Sequence, residues 1–265
     1  MKLNKYILAG FLTCAAVLAQ GPPPGGRGMG RGFGPGGGPG FGAGHGRVVT
    51  GAPYSAEVNF TRIVTMSDGN TIQQTATGRV ARDSQGRTYS TETMTGGPLG
   101  QNGPVTRISI VDPVAGFAYE LNPVTKVATR RAIHQRPQGA DSGPALGANE
   151  RPASPDVAKV DLGTSPVNGV NAKGSRTTRT IPAGAIGNAN PIIATTETWY
   201  SPDLQTVVTS KHSDPRVGQT TFALNNIVRS EPSASLFQVP AGYTITDAPR
   251  GGHGQFGPPP AAPQE

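Results

Sequence analysis

By residue type, the pair in this chain best suited to moving a proton is His212 and Asp214, two positions apart in S-K-H-S-D-P. On an extended segment, alternate side chains share a face, so the carboxylate could orient the imidazole as a base. No nucleophile or oxyanion donor accompanies them in the sequence, and an ordinary surface arrangement at a turn is the expected role. The four histidines, His45, His134, His212 and His253, are widely separated. H-E-x-x-H, C-x-x-C, G-x-S-x-G and the phosphate-binding P-loop are all missing. Glu57 and Glu92 fall on different expected strands with nothing to make them converge, so paired-carboxylate glycan chemistry finds no support. The expectation is a protein that is not an enzyme, with no catalytic residues, no metal ligands and no cofactor.

Large apolar side chains are the remaining candidates, as ligand-facing groups or as core. Trp199 and Tyr200 lie on opposite faces of one strand just before the Ser201-Pro202-Asp203 turn, so one of them points outward or into the hollow of a curved sheet. Thr220, Phe222 and Leu224 share one side of a later strand. Phe237 and Val239 are placed to close the end of the sheet. Tyr119 stands with Phe117 and Leu121 on one face, framed by two tight turns. For all of these core packing is the default role, and a ligand wall is the sharper alternative.

The elements that must position these residues are strands. Ala194–Thr246 alternates runs rich in Thr, Val, Ile and aromatics with turn clusters, the pattern of an antiparallel meander. Ile227 has the opposite parity to Phe222 and Leu224, which predicts a bulge at Asn225-Asn226 that resets the pleat. Upstream, Tyr54–Met66 alternates dry and wet positions, and Asp68-Gly69 then marks a hairpin. Asp83-Ser84-Gln85-Gly86 turns into a third strand, and Gly96–Pro104 reads as a Gly/Pro loop. Val105–Val111, Gly116–Leu121 and Thr125–Ile133 follow as further extended runs. His134–Pro155 has the composition of a long surface loop that could fold over the open side of the sheet. Asp156–Gly169 resumes in short extended pieces, Asn168-Gly169 turns, and Ile181–Pro191 is irregular. No apolar period of 3.6 is sustained. The fold class expected is mainly β, a single curved antiparallel sheet or unclosed half-barrel with few helices and disordered arms at both ends.

The ordered motifs E-x-W-Y-S-P-D-L, S-D-P-R-x-G, L-x-N-I-x-R and L-F-x-V-P-x-G-Y resemble a large group of uncharacterised secreted proteins of soil bacteria, acidobacterial in type. That likeness covers about Asp161–Thr246. More distantly, a late strand followed by L-F-Q-V-P-A-G-Y resembles the end of the LolA/LolB-like and RseB-like periplasmic fold. This second resemblance implies a curved, unclosed antiparallel sheet around an apolar hollow. The long N-terminal helix of carrier proteins of that fold has no counterpart in this sequence.

Residues 1–19 have the parts of a secretory signal. Lys2 and Lys5 supply the positive start, Ile7–Leu18 is mostly apolar, and Val17-Leu18-Ala19 offers cleavage between Ala19 and Gln20. Cys14 is the sole cysteine, so removal of the signal leaves a chain expected to hold no disulfide. Removal also takes two lysines from a formal charge of +7, leaving a modestly basic protein. Residues 20–50 form a Gly/Pro-rich arm too poor in large apolar groups to offset its ordering entropy, and 249–265 repeats that composition. Its Arg-Gly pieces are read as spacer, not as RNA-binding segments, and no nucleic-acid partner is expected. Residues 51–248 are expected to form one β domain. The expected location is exported: periplasm, outer envelope or extracellular. The expected function is binding of a lipid or other apolar or amphipathic ligand in the concave face of the sheet. The alternative is a structural, envelope-associated interaction protein that contacts a cell-envelope polymer and has no small-molecule ligand.

Overall fold

A computed structural model describes residues 48–96, 100–133 and 156–248. The signal segment with its Ala19–Gln20 site, residues 20–47, the His134–Pro155 connection and the tail from Pro249 lie outside the described residues.

Among the described residues, twelve strands form one sheet. They are β1 (Tyr54–Thr65), β2 (Thr71–Arg82), β3 (Thr88–Gly96), β4 (Gly100–Asp112), β5 (Phe117–Asn122) and β6 (Val127–Ala132), followed by β7 (Val157–Val167), β8 (Val170–Ile181), β9 (Ile192–Ser201), β10 (Thr206–Asp214), β11 (Gly218–Val228) and β12 (Thr244–Asp247). The order across the sheet is β12-β6-β5-β4-β3-β2-β1-β11-β10-β9-β8-β7. Two meanders therefore grow in opposite senses and meet where β1 pairs with β11. The sheet is not closed into a barrel: β7 and β12 are its edges.

Short turns with side-chain support set the hairpins. The Asp68 carboxylate accepts from the Asn70 amide at 2.9 Å, and Gly69 takes φ +83°. Asn168 and Gly169 both have positive φ, 49° and 86°, as a two-residue I′ turn demands. Asp83, fully buried, accepts from the Gln85 and Arg87 amides and from the Arg87 guanidinium at 2.5 Å. At the Asn pair Ser55 faces Val228 while Glu57 faces Asn225, so two residues of β11 oppose Ala56 alone. Asn226 takes φ 52° in this bulge and donates to Glu57 at 2.9 Å.

Three elements differ from the sequence reading. The expected Gly96–Pro104 loop is largely strand, with β3 running to Gly96 and β4 starting at Gly100 opposite it. Positive φ at Gly96 and Gly103 lets the ladder continue through glycines that look like loop in composition. The short pieces expected before Gly169 are one strand of 11 residues, broken only by a register shift at Asp161/Gly163. The last strand is parallel: β12 runs alongside β6, with Ile245 beside Ala128 and Asp247 beside Arg130. A single 3₁₀ turn, Ala234–Phe237, precedes it.

The sheet curls. Arg82 at the end of β2 donates through Nε and Nη2 to Ala52 O, at 3.1 and 2.8 Å, and through Nη2 to Leu204 O in the β9–β10 turn. β1, β11 and β10 lie between β2 and that turn, so the face carrying Arg82 is concave there. At the other end Asn168 Nδ2 donates to Leu224 O at 2.6 Å. In a flat sheet the two intervening strands would hold these groups roughly 14 Å apart.

Candidate functional site

The face that carries Phe60 can be followed strand by strand from the pairing register. One row reads Val105, Met94, Ala76, Phe60, Phe222, then Ser210, Thr198 and Ser175, crossing from β4 to β8. Its left part is apolar and its right part is lined by hydroxyl groups. The next row outward reads Gln74, Arg62, Thr220, His212, Thr196 and Thr177. On the other side of Phe60 stand Glu92, Gly78, Val58 and Leu224. Phe222 and Leu224 are each 1% exposed and share this face with Phe60 and Val58, their direct cross-strand partners.

Over β2 and β3 this face opens into a cleft. Phe60, Ala76 and Met94 form its floor, with Gln74, Glu92 and Gly96 around it. Its cavity volume is about 10 Å³, room for one water molecule. Apolar side chains continue outward from it. Val64 faces Ile72 across β1 and β2, and Val105 faces Met94; Ile72 and Val105 are exposed. Glu92 is the buried acid of this site. It is 7% exposed, and burial pushes its carboxyl above the ordinary range, opposed by Arg107, its cross-strand partner. Among the described residues no hydrogen bond or ion pair reaches that carboxyl. Gly78, opposite it, is required: a Cβ there would overlap the Thr91 carbonyl.

The chemistry-bearing residues singled out from sequence do not assemble. Asp214 is engaged by Arg216, whose Nη2 and Nε donate at 2.6 and 3.0 Å, and these bonds hold its carboxyl below the usual range. His212 Nδ1 shares a hydrogen bond with Thr196 Oγ1 at 2.9 Å. Glu57 and Glu92 sit on opposite faces, because Glu92 falls in the row of Val58, the neighbour of Glu57. Among the described residues no three His, Cys, Asp or Glu side chains converge as a metal site. Arg229 and Glu231, two positions apart after β11, do not pair with each other. Arg229 reaches Asp203 at 3.3 Å, while Glu231 accepts from the amide and hydroxyl of Ser84.

Trp199 and Tyr200 take opposite faces, both half-buried. The Trp199 indole lies over Gly174 beside Leu162, and its N–H donates to Glu197 at 2.9 Å. Arg176 completes the group, 2.8 Å from Glu197. Tyr200 is on the concave side near Arg82, whose guanidinium also lies over the Tyr54 ring at 4.9 Å. Burial lowers the Arg82 pKa and raises that of Tyr54. Tyr119 lies on the face opposite Phe60, where Ile110, Leu121 and Ala128 form a second, smaller core. The return from β11 covers it. Val239 and Tyr243 pack against that core, and Phe237 is buried under the Arg87 guanidinium at 5.2 Å.

Sequence reading passed over Arg82 and treated Glu92 only as half of an acid pair. Arg82 continues the inward parity of Ile72, Ala76 and Val80, and Glu92 shares parity with Met94, so a charge in a dry row was the available signal.

No protein-family model and no curated protein matches this chain. Among solved structures it is similar to the MucA/MucB complex of Pseudomonas aeruginosa, at 13% identity and a TM-score of 0.36, over 71% of this chain. The match spans only 56% of the MucA/MucB chain concerned. A domain described as an outer membrane lipoprotein-sorting protein from Vibrio parahaemolyticus matches at 10% identity and a TM-score of 0.26, over 70% of this chain and 89% of its own. The lipoprotein LppX of Mycobacterium tuberculosis matches at 15% identity and a TM-score of 0.24, over 67% and 88%. These likenesses, all at TM-scores below 0.5, assign the chain neither a ligand nor a partner.

Proposed function

We propose that this protein is an exported, non-enzymatic β domain that holds an amphipathic ligand along the Phe60 face. The observation that supports the reading is the row in which Val105, Met94, Ala76, Phe60 and Phe222 give way to Ser210, Thr198 and Ser175. Met94, Ala76, Phe60, Phe222 and Ser210 are themselves covered, so an apolar chain meets the row at its exposed apolar end, Val105, and polar groups meet the half-buried hydroxyls of Thr198 and Ser175 at the other. The narrow cleft means that such a chain rests on the lip formed by exposed Ile72 and Val105 beside half-buried Val64 and is not enclosed in a hollow. The same narrowness favours a second reading, an envelope-associated interaction protein with a filled core and no small-molecule ligand.

Titration with an apolar fluorescent probe separates the two. The first reading expects saturable binding that Ile72→Asp and Val105→Asp weaken about tenfold, since a charge replaces apolar contact. Absence of binding by a folded wild type removes it and leaves the second.

A further inference from the structure

One edge of the sheet presents unpaired backbone beside charges of both signs. β7 is bonded on one side to β8, and among the described residues no strand pairs with its other side. Thr180 N donates to Asp156 O at 2.8 Å, and the β7–β8 register runs without a shift as far as Asp161. Bonded positions alternate in an antiparallel ladder. Ala158 and Val160 therefore also turn their amides and carbonyls to β8, while Val157, Lys159 and Asp161 turn theirs outward. All five residues are exposed, Val160 to 53%. Past Asp161 the edge is guarded: the register shifts at Asp161/Gly163, and Pro166 has no N–H to give. Lys159 enters no ion pair among the described residues, and Asp161 uses one oxygen, Oδ1, to accept from the Gly163 amide at 2.8 Å.

We propose that Val157–Asp161 pairs antiparallel with the same segment of a second copy of this chain, about a two-fold axis at Val160. Only outward-facing residues exchange ladder bonds, which restricts the register to pairs among Val157, Lys159 and Asp161. A two-fold at Lys159 or at Asp161 sets that charge against itself, and one at Val157 or Ala158 leaves Asp161 beyond the paired segment. The two-fold at Val160 sets Lys159 opposite the second copy's Asp161 on both sides of the axis, each pair exchanging N–H···O=C bonds in both directions. It also puts exposed Val160 beside its own copy at a position without ladder bonds, where facing side chains stand closest. Directly opposite residues share a face. The row Ser210, Thr198, Ser175 and Asp161 of one copy therefore runs on into Lys159, Thr177, Thr196 and His212 of the other. The two Phe60 faces then form one surface, with the polar parts at its centre and the apolar parts at its ends. So short a ladder makes the association weak and dependent on concentration.

Sedimentation of the full chain at increasing concentration tests this. The wild type is expected to pass from monomer to dimer, with the amides of Lys159 and Asp161 exchanging more slowly as the dimer fills. Lys159→Asp and Asp161→Lys each bring like charges together on both sides of the axis and are expected to raise Kd about tenfold or more. Mixed in equal amounts, the two variants present opposite charges again and are expected to pair with each other within about threefold of the wild-type Kd. Both positions are exposed, so circular dichroism should show each variant folded as the wild type is. A wild type that stays monomeric at about 1 mM overturns the inference. Single variants that dimerise like the wild type overturn it as well, and so does a mixture that associates no more tightly than either variant alone.

Discussion

Gly174 and Trp199 face each other across the β8–β9 ladder so closely that a Cβ on the glycine would stand 2.8 Å from Cη2 and Cζ3 of the indole. The same Cβ would lie 2.9 Å from Cβ of Leu162, an atom the backbone holds in place. The indole therefore uses a surface that only glycine leaves open. Gly174→Ala is expected to expel the ring, break its bond to Glu197 and cost about 1–3 kcal/mol, the range for overpacking. Trp199 is the sole tryptophan, so its emission should shift to the red in the variant. Unchanged emission and an unchanged urea midpoint would show that the ring is not seated there.

Arg82 ties β2 to the β9–β10 turn. Arg82→Ala leaves the carbonyls of Ala52 and Leu204 without this donor and is expected to destabilise by about 2–4 kcal/mol. Arg82→Lys should recover little, because one ammonium cannot reproduce the fork that serves both carbonyls. Full recovery by lysine in urea unfolding would contradict this geometry.

Phe222 packs between Phe60 on β1 and Ser210 on β10 at the middle of the concave face. Phe222→Ala is expected to cost about 3–5 kcal/mol, the usual loss for a large buried aromatic. Its effect on probe affinity should be smaller than that of Ile72→Asp, since Phe222 is covered and Ile72 is exposed. The reverse ranking would put the ligand deep in the sheet instead of on its lip.

The buried Glu92 sets a pH dependence. Burial raises its folded pKa above the ordinary 4.5, so the folded state holds this proton more tightly than the unfolded state does. Its contribution is complete below the unfolded value and is lost as pH rises through the raised folded value. Wild type should therefore lose stability relative to Glu92→Gln as pH rises above the ordinary carboxylate value. Parallel urea midpoints for the two proteins above that value would refute the assignment.

Asp214 acts in the opposite direction. Its hydrogen bonds from Arg216, chiefly those of the guanidinium, depress its carboxyl below the ordinary 3.8. The stability it adds is present above that value and is lost as pH falls through the depressed one. Asp214→Asn should flatten the acid limb of the stability curve there. An unchanged acid limb would show that the pair is open in solution.

Much of this architecture is local information. Asp68-Gly69 and Asn168-Gly169 specify tight hairpin turns because few other residues accept the backbone angles required. Alternation along Tyr54–Phe60 and through Phe222 and Leu224 announces which side is dry. The parity break at Ile227 announces the bulge that Asn226 makes at positive φ. Each of these follows from sterics or side-chain periodicity within about ten residues, and can be read without knowing the partner strand.

Partnership was decided only by the tertiary structure. That β1 pairs with β11, and that β12 lies parallel to β6, depends on backbone donors and acceptors every residue shares, so no local pattern names the neighbour. Curvature is equally non-local. It brings Arg82 to Leu204 and Asn168 to Leu224 across intervening strands, and it leaves a water-sized cleft where a hollow was expected. The environment of Glu92 has the same origin. Its parity put it in the dry row, but only the packing of β2, β3 and β4 left the residue mostly covered and Arg107 facing solvent.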